Sequence, residues 1–205
     1  MLGKFITLEG IEGSGKSSNL ECISNILEEY SIEFIVTKEP GGGPLGKELR
    51  SILLNKNTVI SPEAELLLMM ADRKDHIDNL ITPNLQKGVW VLSDRYLDSS
   101  YAYQGGGRKI DRSSIDELAV FLDLPKPDLT LLFDLSPEIA LKRAIERSSL
   151  DRFESESIDF HSRIRETYLE MADIESSRFK IIDSSLDFDA VRKQVSIIIN
   201  DFINV

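Results

Sequence analysis

Eight residues near the start of the chain constrain its fold more than any other feature. Gly10-Ile11-Glu12-Gly13-Ser14-Gly15-Lys16-Ser17 fits the pattern G-x-x-x-x-G-K-[ST]. The apolar run Phe5-Ile6-Thr7-Leu8 precedes it, and residues 16–29 follow with Leu20, Ile23, Ile26 and Leu27 on one helical face. Strand, glycine-rich turn and helix in that order are the context that gives this motif its meaning. The loop must bring several N–H groups close to one anion, which requires close backbone approach and backbone angles that glycine adopts freely. The helix that opens at the end of the turn adds the positive end of its dipole. Residues 10–18 are therefore expected to wrap a nucleoside triphosphate tail. Lys16 acts as a point charge on its outer phosphates, and the Ser17 hydroxyl suits a Mg²⁺ ligand. Ser18 lies in the first helical turn, with a weaker claim on phosphate.

The remainder of the chain alternates between two periods. Strand-like runs occupy 4–9, 33–37, 89–93, 129–135 and 179–183, several of them continuously apolar. Such runs suit parallel strands covered on both faces. Helical patterns lie between them. Ser61-Pro62-Glu63 and Ser136-Pro137-Glu138 read as N-caps followed by an N1 proline, the first opening a helix through Met70 toward Leu80. Residues 111–123, 155–172 and 187–204 are helical by spacing. The pattern predicts an α/β chain of the three-layer P-loop NTPase fold, with a five-stranded parallel sheet flanked by helices on both faces. It forms one domain over 1–205, and ligands are expected beyond the carboxyl ends of the strands.

Composition narrows the partners. A formal net charge of -11 weighs against nucleic acid while leaving room for a local anion site. No apolar run approaches the ~20 residues of a membrane span, and Met1-Leu2-Gly3-Lys4 shows no secretory apolar segment. The one cysteine, Cys22, excludes an intrachain disulfide and fits a cytoplasmic location. Cys22 falls on an amphipathic helix and is expected in the core. His76 and His161 lack metal-ligand spacing and are expected to be structural or solvated.

The reaction is read from the later segments. Asn55-Lys56-Asn57-Thr58 lacks the aspartate of a guanine reader, D-x-x-G does not occur, and nothing resembles an ABC signature. TKEPGGGPLGKELR (37–50), SDRYLDSSYAYQGGGR (93–108) and RAIERSSLDRFE (143–154) place Arg50, Arg95, Arg143, Arg147 and Arg152 at sheet ends or in loops. Guanidinium groups so placed suit phosphoryl transfer, which needs cations on both phosphate groups and in-line placement.

With the P-loop and its Glu12, T-K-E-P-G-G at 37–42, L-R-S at 49–51, Arg73, D-R-Y at 94–96, A-Y-Q-G at 102–105 and L-D-R-F-E at 150–154, the chain resembles the thymidylate kinase family over essentially its whole length. Gly13 and the arginine-rich lid resemble the bacterial type. The resemblance implies transfer of the ATP γ-phosphate to dTMP with Mg²⁺, and a homodimer. It implies that Arg95 and Arg50 grip the acceptor phosphate and that Asp94 belongs to the magnesium network through water. Glu12 would lie near the sugar 3′-hydroxyl and Arg95. Arg73, Ser100 and Gln104 would read thymine, Tyr103 would lie under the sugar and exclude a 2′-hydroxyl, and Pro40 and Met69 would line the acceptor pocket. A lid over about 143–156 would bring Arg147 and Arg152 to the transferring group, with Arg143 on the helix proper. Lys38 stands where many relatives have arginine, and Met69 where they have a stacking phenylalanine. Two alternatives stay open: a kinase of another small nucleotide or nucleoside, and, motivated by those departures, a nucleotide-dependent switch or partner-binding module without chemistry.

Overall fold

A computed structural model describes residues 2–147 and 150–204. The central sheet comprises β1 (Phe5–Glu9), β2 (Phe34–Lys38), β3 (Trp90–Asp94), β4 (Leu129–Asp134) and β5 (Phe179–Asp183). The strands run parallel in the order β2-β3-β1-β4-β5. Leu8 and Lys38 both pair with Asp94, so the carboxyl ends of β1, β2 and β3 finish side by side.

Alternation along the strands divides the core into two layers. Ile6, Leu8, Leu129, Leu131 and Phe133 meet Ile23 and Leu27 of α1 (Lys16–Glu29) and Val195 and Ile199 of α9 (Phe188–Ile203). On the opposite face, Phe5 and Val91 pack on Ile77 and Ile81, and Leu132 packs on Ile164, Tyr168 and Met171 of α8 (Ile158–Ile174). Glu9 shares the face of Phe5 and Thr7, and it therefore points beneath α8 rather than α1. Cys22 is half-buried against the first layer, in line with its core assignment.

Three departures from the sequence reading have physical reasons. The helix opened by Ser61, whose hydroxyl accepts from Ala64 N at 3.2 Å, is α-helical only over α3 (Pro62–His76). It continues through a π-helical stretch, Ile77–Ile81, into the short α4 (Thr82–Gln86). A further helix, α2 (Gly46–Leu54), carries Arg50, which the sequence reading places at a sheet end or in a loop. Residues beyond α5 (Leu97–Ser100) form a second π-helical stretch, Tyr101–Gly107, despite three consecutive glycines. At Gly106 an added Cβ would collide with Thr167 Oγ1 and lie 3.0 Å from the Arg163 carbonyl, so glycine is there to let this segment approach α8. α6 (Arg112–Phe121) and α7 (Pro137–Arg147) complete the molecule. Arg143 thus lies on the helix proper, and the Arg147 backbone also belongs to that helix rather than to a loop. The side chain of Arg147 and residues 148 and 149 lie outside the described residues.

Candidate active site

The loop after β1 has the predicted form. Gly10, Gly13 and Gly15 all take positive φ, and at Gly13, with φ 76°, a Cβ would also overlap the Ala140 carbonyl of α7. Lys16 folds back over the turn and donates to the carbonyls of Gly10 (2.9 Å) and Ile11 (3.0 Å). Burial, followed by the nearby Arg95 charge, pushes the Lys16 ammonium down to about 8. An anion in the loop would oppose both effects by supplying the missing countercharge.

Ser17 donates to Asp94 Oδ2 at 3.2 Å, while Oδ1 of the same carboxylate is buried with no hydrogen-bond partner. A hydroxyl beside an unsatisfied carboxylate oxygen is a hard-oxygen donor pair, and the arrangement fits Mg²⁺. Among the described residues, no three His, Cys, Asp or Glu side chains converge to hold a metal by themselves. The remaining ligands of such an ion would be phosphate oxygens and water.

Next to Asp94, Arg95 follows β3 with a left-handed φ of 74°, a strained backbone for a non-glycine residue that is held by Arg95 N donating to Leu8 O at 3.0 Å. Its Nη2 donates to Glu12 Oε1 (2.6 Å) and to the Tyr103 hydroxyl (3.0 Å), and the Tyr103 hydroxyl donates to Glu12 Oε2 (2.6 Å). The guanidinium also stacks 4.8 Å from the Tyr103 ring centroid. Burial alone would raise the Glu12 carboxyl, but Arg95, Lys16 and Tyr103 outweigh it and the net shift is downward. Glu12, Arg95 and Tyr103 therefore form one charged unit on the wall of a cleft that also exposes Ser17, Lys38, Pro40, Arg50, Met69, Asp94 and Phe153. Arg50 Nη1 donates to the carbonyl of Pro40 (2.7 Å), which follows a cis peptide bond.

Deeper in the cleft, Pro40, Met69, Arg73, Ser100, Tyr103 and Gln104 surround one small cavity, so the residues assigned to the acceptor base do come together. Arg73 is 1% exposed. It donates from Nε to Glu39 Oε2 (2.7 Å), from Nη1 to Ser100 Oγ (2.9 Å) and from Nη2 to Tyr96 O (2.9 Å). Gln104 Nε2 donates to Glu65 Oε1 at 2.9 Å, which fixes the orientation of that amide.

The lid residues are placed differently. Arg152 Nε donates to Leu53 O (2.7 Å) and Nη1 to Glu65 Oε2 (2.7 Å), which turns it toward the end of α2. It is Asp151, Phe153 and Glu154 from this segment that face the cleft. On the outer side of the loop, Gly13, Ser14, Ser18 and Arg143 line a separate cavity with Ser184 and Leu186, and Arg143 Nη1 donates to Ser184 O at 3.1 Å.

Several site residues escape the sequence reading. Glu39, Glu65 and Glu9 are all nearly inaccessible carboxylates. His76 is buried between Glu39 Oε1 (2.9 Å) and Thr37 Oγ1 (2.7 Å), and His161 is also buried, so both are structural rather than solvated. One signal for Glu39 was present: Arg73 and His76 lie three apart on α3 and so share a face. No local signal marks Glu9 or Tyr168, whose partners are far away in sequence.

A phosphate-type loop, a serine–aspartate oxygen pair and a cluster of guanidinium groups at the carboxyl ends of a parallel sheet define a P-loop phosphotransferase. The family model for thymidylate kinase matches residues 8–195. The chain is 48% identical to the thymidylate kinase of Carboxydothermus hydrogenoformans over 184 residues, covering 89% of this chain and 90% of that one. It is 46% identical to that of Methylobacillus flagellatus over 204 residues, covering 98% and 99%. The crystal structure of thymidylate kinase from Ehrlichia chaffeensis superposes with a TM-score of 0.79 at 29% identity, over 98% of this chain and 99% of that one. The chain belongs to the thymidylate kinase family.

Proposed function

We propose that the chain transfers the γ-phosphoryl group of ATP to dTMP, giving dTDP and ADP in dTTP synthesis. Family membership carries the reaction, and the cavity outside the loop beside Arg143 and the cleft at Arg95 supply a place for each substrate. The amides of residues 10–18 and Lys16 hold the triphosphate. Its base fits the cavity beside Arg143 and Ser184. Arg95 and Arg50 hold the acceptor phosphate. Arg73, Ser100 and Gln104 face the base over Met69. Tyr103, pinned by Glu12, backs the sugar. Ser17, and Asp94 through water, would hold Mg²⁺, which would neutralise charge on the outer phosphates.

The acceptor is already an oxyanion, so the chain's own residues supply alignment and charge rather than a strong base. Residues 143–156 form the lid. Arg152 reaches the transferring group only after leaving Glu65 and the Leu53 carbonyl, a rearrangement suited to closure over bound nucleotides. The active species is a homodimer in the cytoplasm, and sedimentation tests the first half of that statement. A panel of dTMP, UMP, AMP and GMP with ATP and Mg²⁺ tests the reaction. Robust turnover of any other monophosphate with none of dTMP would reject it.

A further inference from the structure

The carboxylate of Glu9, at the end of β1, touches nothing in the cleft, yet three donors converge on it. Tyr96 N donates to Oε1 (2.8 Å), and the hydroxyls of Ser99 (2.6 Å) and Tyr168 (2.8 Å) both donate to Oε2. The same two hydroxyl oxygens are the neighbours of Arg95 Nη1, at 3.1 Å for Ser99 and 3.4 Å for Tyr168. A hydroxyl has one proton to give. The two hydroxyl oxygens also lie 2.9 Å from each other, where either could donate, but an ionised carboxylate is the stronger acceptor. With both protons drawn to Glu9, both oxygens turn lone pairs toward the guanidinium. On its other side, Arg95 Nη2 meets Glu12 and Tyr103 in the cleft. The guanidinium plane is thus held from both ends.

We propose that Glu9 is a positioning residue for the acceptor phosphate: by drawing in the hydroxyl protons of Ser99 and Tyr168 it makes both accept from Arg95, and so aims that guanidinium into the cleft. The inference rests on the proposed dTMP kinase reading, in which Arg95 meets the acceptor phosphate. An apolar residue at the end of β1 would fill the space but leave both hydroxyls free to present protons to Arg95. A carboxylate there costs burial, and that cost is visible: burial, with Asp98 next, pushes Glu9 up to about 7. Assays at pH 8 therefore compare an ionised Glu9 with its variant.

Glu9→Gln separates polarity from shape. The amide oxygen keeps the bond from Tyr96 N, which places the NH₂ group against Ser99 and Tyr168; their protons lose the carboxylate acceptor and must turn toward each other or toward Arg95. The expected result is a rise of about tenfold or more in KM for dTMP, the range for a lost hydrogen bond to a charged group. KM for ATP should stay within about twofold, a split that a general loss of folding stability does not produce. By calorimetry, dTMP should bind more weakly while thymidine, which lacks the phosphate, binds as before. In a Ser99→Ala/Tyr168→Phe background, which removes the relay, adding Glu9→Gln should cost little more. Unchanged KM for dTMP, equal rises for both substrates, or full additivity in that background would each overturn the proposal. If Glu9→Gln does not fold, Tyr168→Phe alone should give a smaller shift in the same direction, and its absence overturns the proposal too. Failure of the wild type to bind or turn over dTMP would instead refute the functional reading, because only the ratio of variant to wild type reports on Glu9.

Discussion

Lys16 and Arg95 lie close enough for their charges to act on each other, and each is a largely enclosed cation whose natural countercharge is a phosphate. Arg95 is held above its ordinary range by Tyr103 and Glu12 despite burial, so it stays charged at any working pH. Lys16→Ala and Arg95→Ala should each lower kcat/KM by at least ~10²-fold, as expected when one preorganised charge is removed from a transition state. Steady-state kinetics check this, and a near-normal rate in either variant removes that residue from the machinery. Glu39 makes a different kind of contribution. Its pair with Arg73 is almost wholly enclosed, with side-chain exposures of 2% and 3%, and His76 braces its other oxygen. Glu39→Ala strands a buried guanidinium, and it should cost about 3–5 kcal/mol of stability. It should also raise KM for dTMP more than KM for ATP. Denaturant melts and kinetics together distinguish that outcome from a surface ion pair, whose loss would pass unnoticed.

At the scale of elements, the segment from α5 through Gly107 decides where the acceptor pocket lies. It carries Ser100, Tyr103 and Gln104, and it lies close against α8 because Gly106 presents no side chain to Thr167 and Arg163. Arg163 reinforces the contact, donating to the carbonyls of Gly106 (3.1 Å) and Gly107 (2.9 Å). Gly106→Ala forces the two elements apart and should destabilise the protein by about 1–3 kcal/mol, the usual cost of overpacking. KM for dTMP should rise with it, since Tyr103 and Gln104 move. A variant with wild-type melting temperature and KM would show that the close approach has no role. A Gly-Gly-Gly run reads as loop from propensity alone. Here it is the requirement for tight packing, and only contact with a distant helix makes that visible.

For the molecule as a whole, buried carboxylates set how stability responds to pH. Glu9 is raised from the usual carboxylate range to about 7, by burial and then Asp98. Asp72 is raised to about 6, by burial and then Glu39. In both cases the folded state holds its proton more tightly than the unfolded chain. Their contribution is therefore complete below about pH 4 and is lost as pH climbs toward 6 for Asp72 and 7 for Glu9. The melting temperature of Glu9→Gln, taken relative to wild type, should accordingly rise between pH 5 and pH 8. A difference that stays constant across that range would show that the Glu9 carboxyl is not raised in the fold.

What this chain settles in its sequence is what depends on neighbours along the backbone. The five strands, the loop at 10–18 and the cap at Ser61 follow from local periodicity, glycine angles and one-turn hydrogen bonds. Arg95, Arg73 and Arg50 were legible as site residues through the motifs that contain them. The partners that aim those arginines were not. Glu9 meets Tyr168 across 159 positions, and Arg152 meets Glu65 across 87. A buried charge is worth its desolvation only if a complementary group arrives from elsewhere, and which group arrives is decided when α3 and α8 pack against the sheet.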